Sequence, residues 1–378
     1  MIKQVSFYDF ADSWASKFNE DSRFLSDAYL ELTRLCSLKC EHCYIGDARW
    51  KKDPNELSTE EWKRFLDTLA DRGLLWLFFT GGEAMIRPDF RELWLYARSK
   101  GFLLVLYTNA TLIDEKMGEF LELYPPVKTE VSIYGASAAV YEKVTGVKGS
   151  HNRFLRGVNE IRRRGLHWKM KVPVIQAILP EMPAIRALAE EWGVQVFPDG
   201  TIQASIGEGE TGGKAPCASR VPEAELVAHE LSDPNFVAEF KLNAQGCSKH
   251  AAGDDMKRLY LCGAGKDTFY MTAGGKMQAC LATAHHGVDL DRSKDMNLQF
   301  DAAWTEFGKL QEMKRDPASP CYDCDIQILC QTCPGMAHLE HGDEHGSIEW
   351  ICRRTHLKAH QLGVPHKCKI THPLYREN

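Results

Sequence analysis

Thirteen cysteines, unevenly placed, divide this 378-residue chain more sharply than any other feature. Cys36, Cys40 and Cys43 sit close together, none follows until Cys217, and the rest run from there to Cys368. The sequence opens without a basic segment leading into an apolar run, and no stretch approaches the ~18 apolar residues of a membrane span. This reads as a cytoplasmic protein without membrane contact, whose thiols stay reduced, so metal rather than disulfides accounts for so many cysteines. A formal net charge of −6 gives no basic field for nucleic acid. Arg162–Arg164, Lys169 and Lys171 read as the solvated face of a helix end.

Between the two cysteine regions, apolar strand-like runs alternate with amphipathic segments. Strands are expected over 29–33, 74–79, 102–107, 130–134, 171–178 and 194–197. Helices are expected over 59–72, 91–99, 115–124, 154–164 and 183–192, the first opened by Ser58 as N-cap. Units of about 25–40 residues imply parallel strands joined by crossover helices. Six of them make an α/β fold, a partial (β/α)₆ TIM-like barrel, since a closed eight-unit barrel takes ~250 residues. Beyond about residue 200 the periodicity degrades into a loop-rich, cysteine-dense segment with a hairpin around Gly274-Gly275, a region for metal to organise. The expected divisions are an N-terminal extension (1–27), the barrel (28–205), a linker (206–260), the cysteine-dense domain (261–360) and a tail (361–378).

Cys36-x₃-Cys40-x₂-Cys43 places three thiolates on one tight loop. They suit three irons of a [4Fe–4S] cube, leaving the fourth iron for a chelating substrate. The competing reading is structural zinc with His42 as fourth ligand, but no second knuckle lies nearby. With Tyr44 following, the spacing resembles the signature of radical S-adenosylmethionine (SAM) enzymes. The next predicted strand ends in Thr80-Gly81-Gly82-Glu83, which resembles that family's GGE turn, where the methionine amino group is received. Adjacent glycines permit close backbone approach, and Glu83 offers an acceptor for an ammonium. By the same resemblance Asn109 of Thr108-Asn109 lies near the nucleoside, Ser132 is a candidate for the ribose hydroxyls, and Arg153 for the carboxylate. Tyr134 stands where many members carry Asp.

The distal pattern is Cys262, Cys280, Cys321-x₂-Cys324-x₅-Cys330-x₂-Cys333 and Cys352. It resembles the SPASM extension of radical SAM enzymes that modify peptides, although that family usually spaces the last internal pair by three residues. The resemblance implies two auxiliary [4Fe–4S] clusters, three in all. Cys262, Cys280 and Cys333 would serve the nearer one, with Cys247, Cys217 or an open position completing it. Cys321, Cys324, Cys330 and Cys352 would serve the farther one. Paired zinc knuckles would leave Cys262, Cys280 and Cys352 unexplained. Cys368 reads as a free thiol, and His285, His286, His338, His341 and His345 as surface histidines.

The implied chemistry is cleavage of SAM to a 5′-deoxyadenosyl radical, hydrogen abstraction from a substrate carbon, and a second oxidation through an auxiliary cluster. The substrate implied is a ribosomally made (RiPP) precursor peptide, crosslinked through a thioether or carbon–carbon bond, because residues 132–146 resemble that subgroup. A sulfatase-maturing enzyme is one alternative, against which Leu281 stands where that group carries Asp. A tetrapyrrole enzyme of the haem-synthesis kind is another, and an iron–sulfur carrier or sensor, which has no need of an amine site, a third. A flavodoxin- or ferredoxin-type reductant is expected. Fewer than forty residues precede Cys36, so an ~80–90-residue leader-recognition domain is expected to be absent or supplied by a separate small protein.

Overall fold

The computed structural model describes residues 23–50, 52–206, 215–250, 257–330 and 332–366, the side chains of 245–250 excepted. Six strands and the helices between them follow one another from the first: β1 (Asp27–Thr33), α1 (Thr59–Asp71), β2 (Trp76–Gly81), α2 (Phe90–Ser99), β3 (Leu103–Thr108), α3 (Glu115–Leu123), β4 (Lys128–Ser132), α4 (Ala138–Thr145), α5 (Ser150–Arg163), β5 (Trp168–Pro173), α6 (Met182–Trp192) and β6 (Val196–Asp199). Each of β1–β6 pairs in parallel with its sequence neighbour, giving the partial α/β barrel expected. Ser58 opens α1 with a capping box, its side chain meeting the Glu61 N–H while Glu61 returns to the Ser58 N–H.

Side chains alternate across each strand. Leu77 and Phe79 are fully buried on the helix side, where the Phe79 ring meets Phe90 and Trp94. Tyr29, Phe78 and Tyr107 gather on the opposite face, Tyr29 stacked on Phe78 with ring centroids 4.3 Å apart.

The chain then adds α7 (Glu223–Leu231), α8 (Pro234–His250), β7 (Thr268–Met271), β8 (Lys276–Gln278), β9 (Val288–Asp289), α9 (Met296–Gly308), α10 (Pro334–His341) and α11 (Glu349–Gln361). The hairpin anticipated at Gly274-Gly275 is β7–β8, and it does more than its sequence announced. β7 pairs in parallel with β1, so the sheet runs β6-β5-β4-β3-β2-β1-β7-β8-β9. The main core is continuous across this seam, Phe65 packing on Phe269 and Phe300. Two small apolar clusters underlie the distal cysteines, one with Met336 and Ile351, the other with Phe240, Ile326 and Leu329.

Several expectations shift. β5 starts at Trp168 and stops at Pro173, whose ring removes a ladder N–H. α4 was not foreseen, because two turns between the Ser137 cap and left-handed Gly146 show too little periodicity. The segment read as linker carries α7 and α8. Lys171 faces Glu130 at 2.6 Å rather than forming part of a solvated helix end. Among the described residues, no helix is long and apolar enough to cross a membrane.

Candidate active site

The loop after β1 is laced to its surroundings by backbone hydrogen bonds. Cys36 N–H donates to the Arg49 carbonyl at 3.0 Å, and Cys43 N–H to Cys40 at 3.2 Å. The end of α4 leaves carbonyls without helical partners. Thr145 and Val144 there accept from Lys39 N–H at 2.7 Å and Glu41 N–H at 3.2 Å. The 132–146 stretch therefore clamps the cysteine loop.

Cys40 is buried, and Cys36 and Cys43 are half-buried. Burial pushes the Cys36 thiol up to about 12, with Glu83 adding to it, and lifts Cys40 and Cys43 as well. The buried Arg49 guanidinium pulls all three the other way while lying 4.4 Å over the Trp50 ring. Protonated thiols are thus favoured until a metal displaces the protons.

The end of β2 packs directly on the chain entering this loop. Gly82 N–H donates to Thr33 O at 2.9 Å and Glu83 N–H to Leu35 O at 2.8 Å. Gly81 has φ +130°, and a Cβ there would lie 2.2 Å from Thr33 O. A Cβ on Gly82 would lie 2.3 Å from both Arg34 O and Leu35 O. The glycines clear space for backbone, a structural reason beside the ligand approach their sequence suggested.

Glu83 is 1% exposed. Its carboxylate accepts from Thr108 Oγ1 at 2.9 Å and Asn109 N–H at 2.9 Å. Burial pushes it up to about 7 against those hydrogen bonds. Asn109 Nδ2 donates to Cys36 Sγ at 3.6 Å, and its Oδ1 accepts from Thr111 N–H and Oγ1. Thr111 in turn meets the Ser37 hydroxyl at 3.0 Å. One chain of hydrogen bonds therefore links Glu83 to the first cysteine.

Ser132 closes β4 near Tyr134, which lies near Cys40. Tyr44 is half-buried beside Thr80. Arg153 on α5 is half-buried, and its Nε has no partner. His42 is half-buried with its ring 5.4 Å from Tyr134, and desolvation followed by the nearby Arg49 charge lowers it to about 4. The cysteine loop, the Gly81–Glu83 turn, Asn109 and Ser132 all gather at the C-terminal ends of β1–β4, the end where such barrels place chemistry. Arg49 and Thr111 were not anticipated. Only their nearness to the cysteine loop and the Thr-Asn turn hinted at them.

The distal cysteines assemble in two sets. Cys321, Cys324, Cys330 and Cys352 line one cavity together with Arg315 and His356. Arg315 is 3% exposed with Nε and Nη1 unpartnered, and His356 Nδ1 is likewise buried without a partner. Cys262, Cys280 and Cys333 form the second set, near enough for their charges to act on one another, and burial pushes Cys333 up to about 11. Cys217 packs in the same small apolar cluster as Cys330 and Cys333. The side chain of Cys247, and all of Cys368, lie outside the described residues.

Donor spacing tests what these sets suit. A single zinc ion draws four ligand atoms to within about 4 Å of one another. Among the described residues, the one group of three or more His, Cys, Asp or Glu side chains whose ligand atoms lie within 4.8 Å is His285, His286 and Glu344. Among the described residues, neither the first cysteines with His42 nor the distal sets are drawn together that closely.

Residues 30–176 match the family model described as Radical SAM superfamily. Over these residues the chain carries a radical SAM domain, the kind of domain that holds a [4Fe–4S] cluster and SAM. It is 27% identical over 339 residues to the AdoMet-dependent heme synthase of Nitratidesulfovibrio vulgaris, covering 85% of this chain and 90% of that protein. It is 27% identical over 312 residues to the mycofactocin maturase MftC of Mycolicibacterium smegmatis, covering 80% of this chain and 76% of that one. Among solved structures, Streptococcus suis SuiB bound to its precursor peptide SuiA superposes with a TM-score of 0.64 at 15% identity, covering 88% and 76% of the two chains. That likeness is one of fold.

Proposed function

We propose that this enzyme oxidises a precursor peptide, joining a side chain into a thioether or carbon–carbon crosslink. The observation that carries the oxidative part is the cavity walled by Cys321, Cys324, Cys330 and Cys352, with Arg315 buried and unpartnered beside it. Four thiols without an open position suit a cluster that moves electrons rather than binds substrate. We assign Cys36, Cys40 and Cys43 to the SAM cluster and Cys262, Cys280 and Cys333 to a nearer auxiliary cluster. Cys217 is the fourth candidate there, Cys247 being the other. Residues 28–205 and 261–360 are the two functional units in this reading. A flavodoxin- or ferredoxin-type reductant, a separate leader-binding protein and a cytoplasmic setting belong to it too.

When loaded, these groups supply a carbon radical able to take hydrogen from an unactivated carbon, and an acceptor for a second electron. The residues set the conditions. Asn109 fixes Cys36, Glu83 offers remaining acceptor capacity to an ammonium, and Arg153 Nε is available to a carboxylate. Tyr29, Phe78 and Tyr107 wall the barrel interior with aromatic surface that limits water near the reacting carbon.

A tetrapyrrole substrate is the second reading, favoured by the length of the heme synthase match. The resemblance of residues 132–146 to the peptide-modifying subgroup speaks for the peptide. Charge does not separate the two: Lys128 and Lys171 pair with Glu130 at 2.5 and 2.6 Å, while Lys169, on the same face of β5, lies over the Phe197 ring. Mass spectrometry after turnover with a precursor peptide and with an iron porphyrin separates the two. Loss of two hydrogens from the peptide is expected, and a change confined to the porphyrin refutes the proposal. Iron analysis of anaerobically reconstituted enzyme should give about 12 irons per chain, and about four would remove the auxiliary clusters.

A further inference from the structure

Cys280 is followed by a single 3-10 turn, Ala284–His286, that aims two imidazoles at one carboxylate. His285 Nε2 lies 3.0 Å and His286 Nε2 2.8 Å from the same oxygen, Glu344 Oε2. The Tyr260 hydroxyl donates to that oxygen as well, at 2.7 Å. Three would-be donors thus converge on one atom that has two lone pairs, more than hydrogen bonding alone accommodates.

The cluster is held from outside. The His285 ring stacks on His338 with centroids 3.7 Å apart and planes 14° from parallel. Glu344 sits in the loop between α10 and α11, where Asp316 N–H donates to His345 Nδ1 at 3.0 Å and Ser319 Oγ to His345 O at 2.6 Å. Side-chain exposures of 17% for His285, 26% for His286 and 13% for Glu344 leave an entry path while removing most of the water. Burial raises the Glu344 carboxyl, but hydrogen bonds from His285, His286 and Tyr260 outweigh it and keep the group anionic.

We propose that His285, His286 and Glu344 form a mononuclear site for a divalent transition ion, separate from the cysteine-bound clusters. Their three ligand atoms lie within 4.8 Å of one another. Two neutral imidazoles and one carboxylate are a ligand set that zinc and ferrous iron accept, with a position left open for water or substrate. With an ion in place, each Nε2 presents its lone pair inward and Glu344 is no longer oversubscribed. Tyr260 then becomes the outer partner that orients the carboxylate. Tyr260 also feels the charges of Cys262 and Cys333, so the ion lies beside the nearer cysteine set without drawing on its thiols.

The test uses anaerobically reconstituted, desalted enzyme whose thiols are occupied by iron–sulfur clusters. Cobalt(II) is titrated as a spectroscopic probe and then displaced with zinc(II). One cobalt per chain is expected beyond the cluster iron, with weak visible bands and none of the intense sulfur-to-cobalt absorption. Glu344→Gln and His286→Asn should each weaken cobalt binding at least tenfold with the iron content and cluster spectra unchanged. Tyr260→Phe should weaken it less. No binding by the parent enzyme overturns the proposal, as does equal binding by both ligand variants. A fall in iron content in both variants also overturns it, since it would assign these side chains to the neighbouring cluster.

Discussion

Glu83 accepts the backbone N–H of Asn109 at 2.9 Å, and the Asn109 side-chain amide reaches Cys36 Sγ at 3.6 Å. The turn offered to the amine and the loop offered to the cluster are thereby one mechanical unit. Asn109→Ala removes the donor to Cys36 and strands the Thr111 N–H that Asn109 Oδ1 satisfies, while the Thr111 hydroxyl keeps Ser37. A cost of about 2 kcal/mol is expected in urea unfolding of the metal-free chain. Iron should also be lost faster to a chelator. Parent-like unfolding together with parent-like iron retention would show that the amide contact is incidental.

Glu83 imposes a pH dependence of its own. Burial raises its carboxyl from 4.5 to about 7 in the folded chain, partly offset by the hydrogen bonds from Asn109 and Thr108. Between those values the folded state holds a proton that the unfolded state has released, so stability falls as pH rises. The whole effect, about 3 kcal/mol, is absent below pH 4.5 and complete above pH 7. Glu83→Gln should flatten this segment of a stability-against-pH curve measured on metal-free protein. An unchanged slope would place the titration elsewhere.

The barrel and the first cysteine loop were legible because they rest on local signals: strand–helix alternation, a capping box at Ser58, and a Cys spacing closed within one loop. What stayed hidden depends on contacts distant in sequence. Nothing around Thr268–Met271 announces that it pairs with β1, since a short strand shows composition but not its partner. Arg49 was missed because a lone arginine carries no pattern, although it is the cation shared by all three first cysteines. His285 and His286 read as surface residues until the fold brought up Glu344, far along the chain.

Gly82 gives a steric prediction that can be separated from backbone strain. A methyl there meets two carbonyl oxygens, Arg34 O and Leu35 O, at 2.3 Å, and no rotamer change relieves backbone atoms. Gly82→Ala should cost about 3 kcal/mol and release the cysteine loop, read as poor iron incorporation. Gly73→Ala is the control. It has φ +73° but nothing within 4 Å of the added carbon, so only about 1 kcal/mol of strain is expected and iron incorporation should be normal. Equal behaviour of the two variants would mean that Gly82 is not packed as described.

Arg315 offers the sharpest test of the distal thiol set. Its guanidinium is 3% exposed, lines the cavity of Cys321, Cys324, Cys330 and Cys352, and leaves Nε and Nη1 unpartnered. An unpaired buried cation is costly unless something anionic faces it. A cluster held by four thiolates carries net negative charge that grows on reduction, so the cation stabilises the reduced form. Arg315→Gln should lower that cluster's reduction potential by on the order of 60 mV, a tenfold change in the one-electron equilibrium. Arg315→Lys, which keeps the charge, should recover part of the shift. The measurement is a redox titration followed by electron paramagnetic resonance, in which the distal signal moves and that of the SAM cluster does not. If stability falls while every potential holds, Arg315 is a packing residue and the charge argument fails.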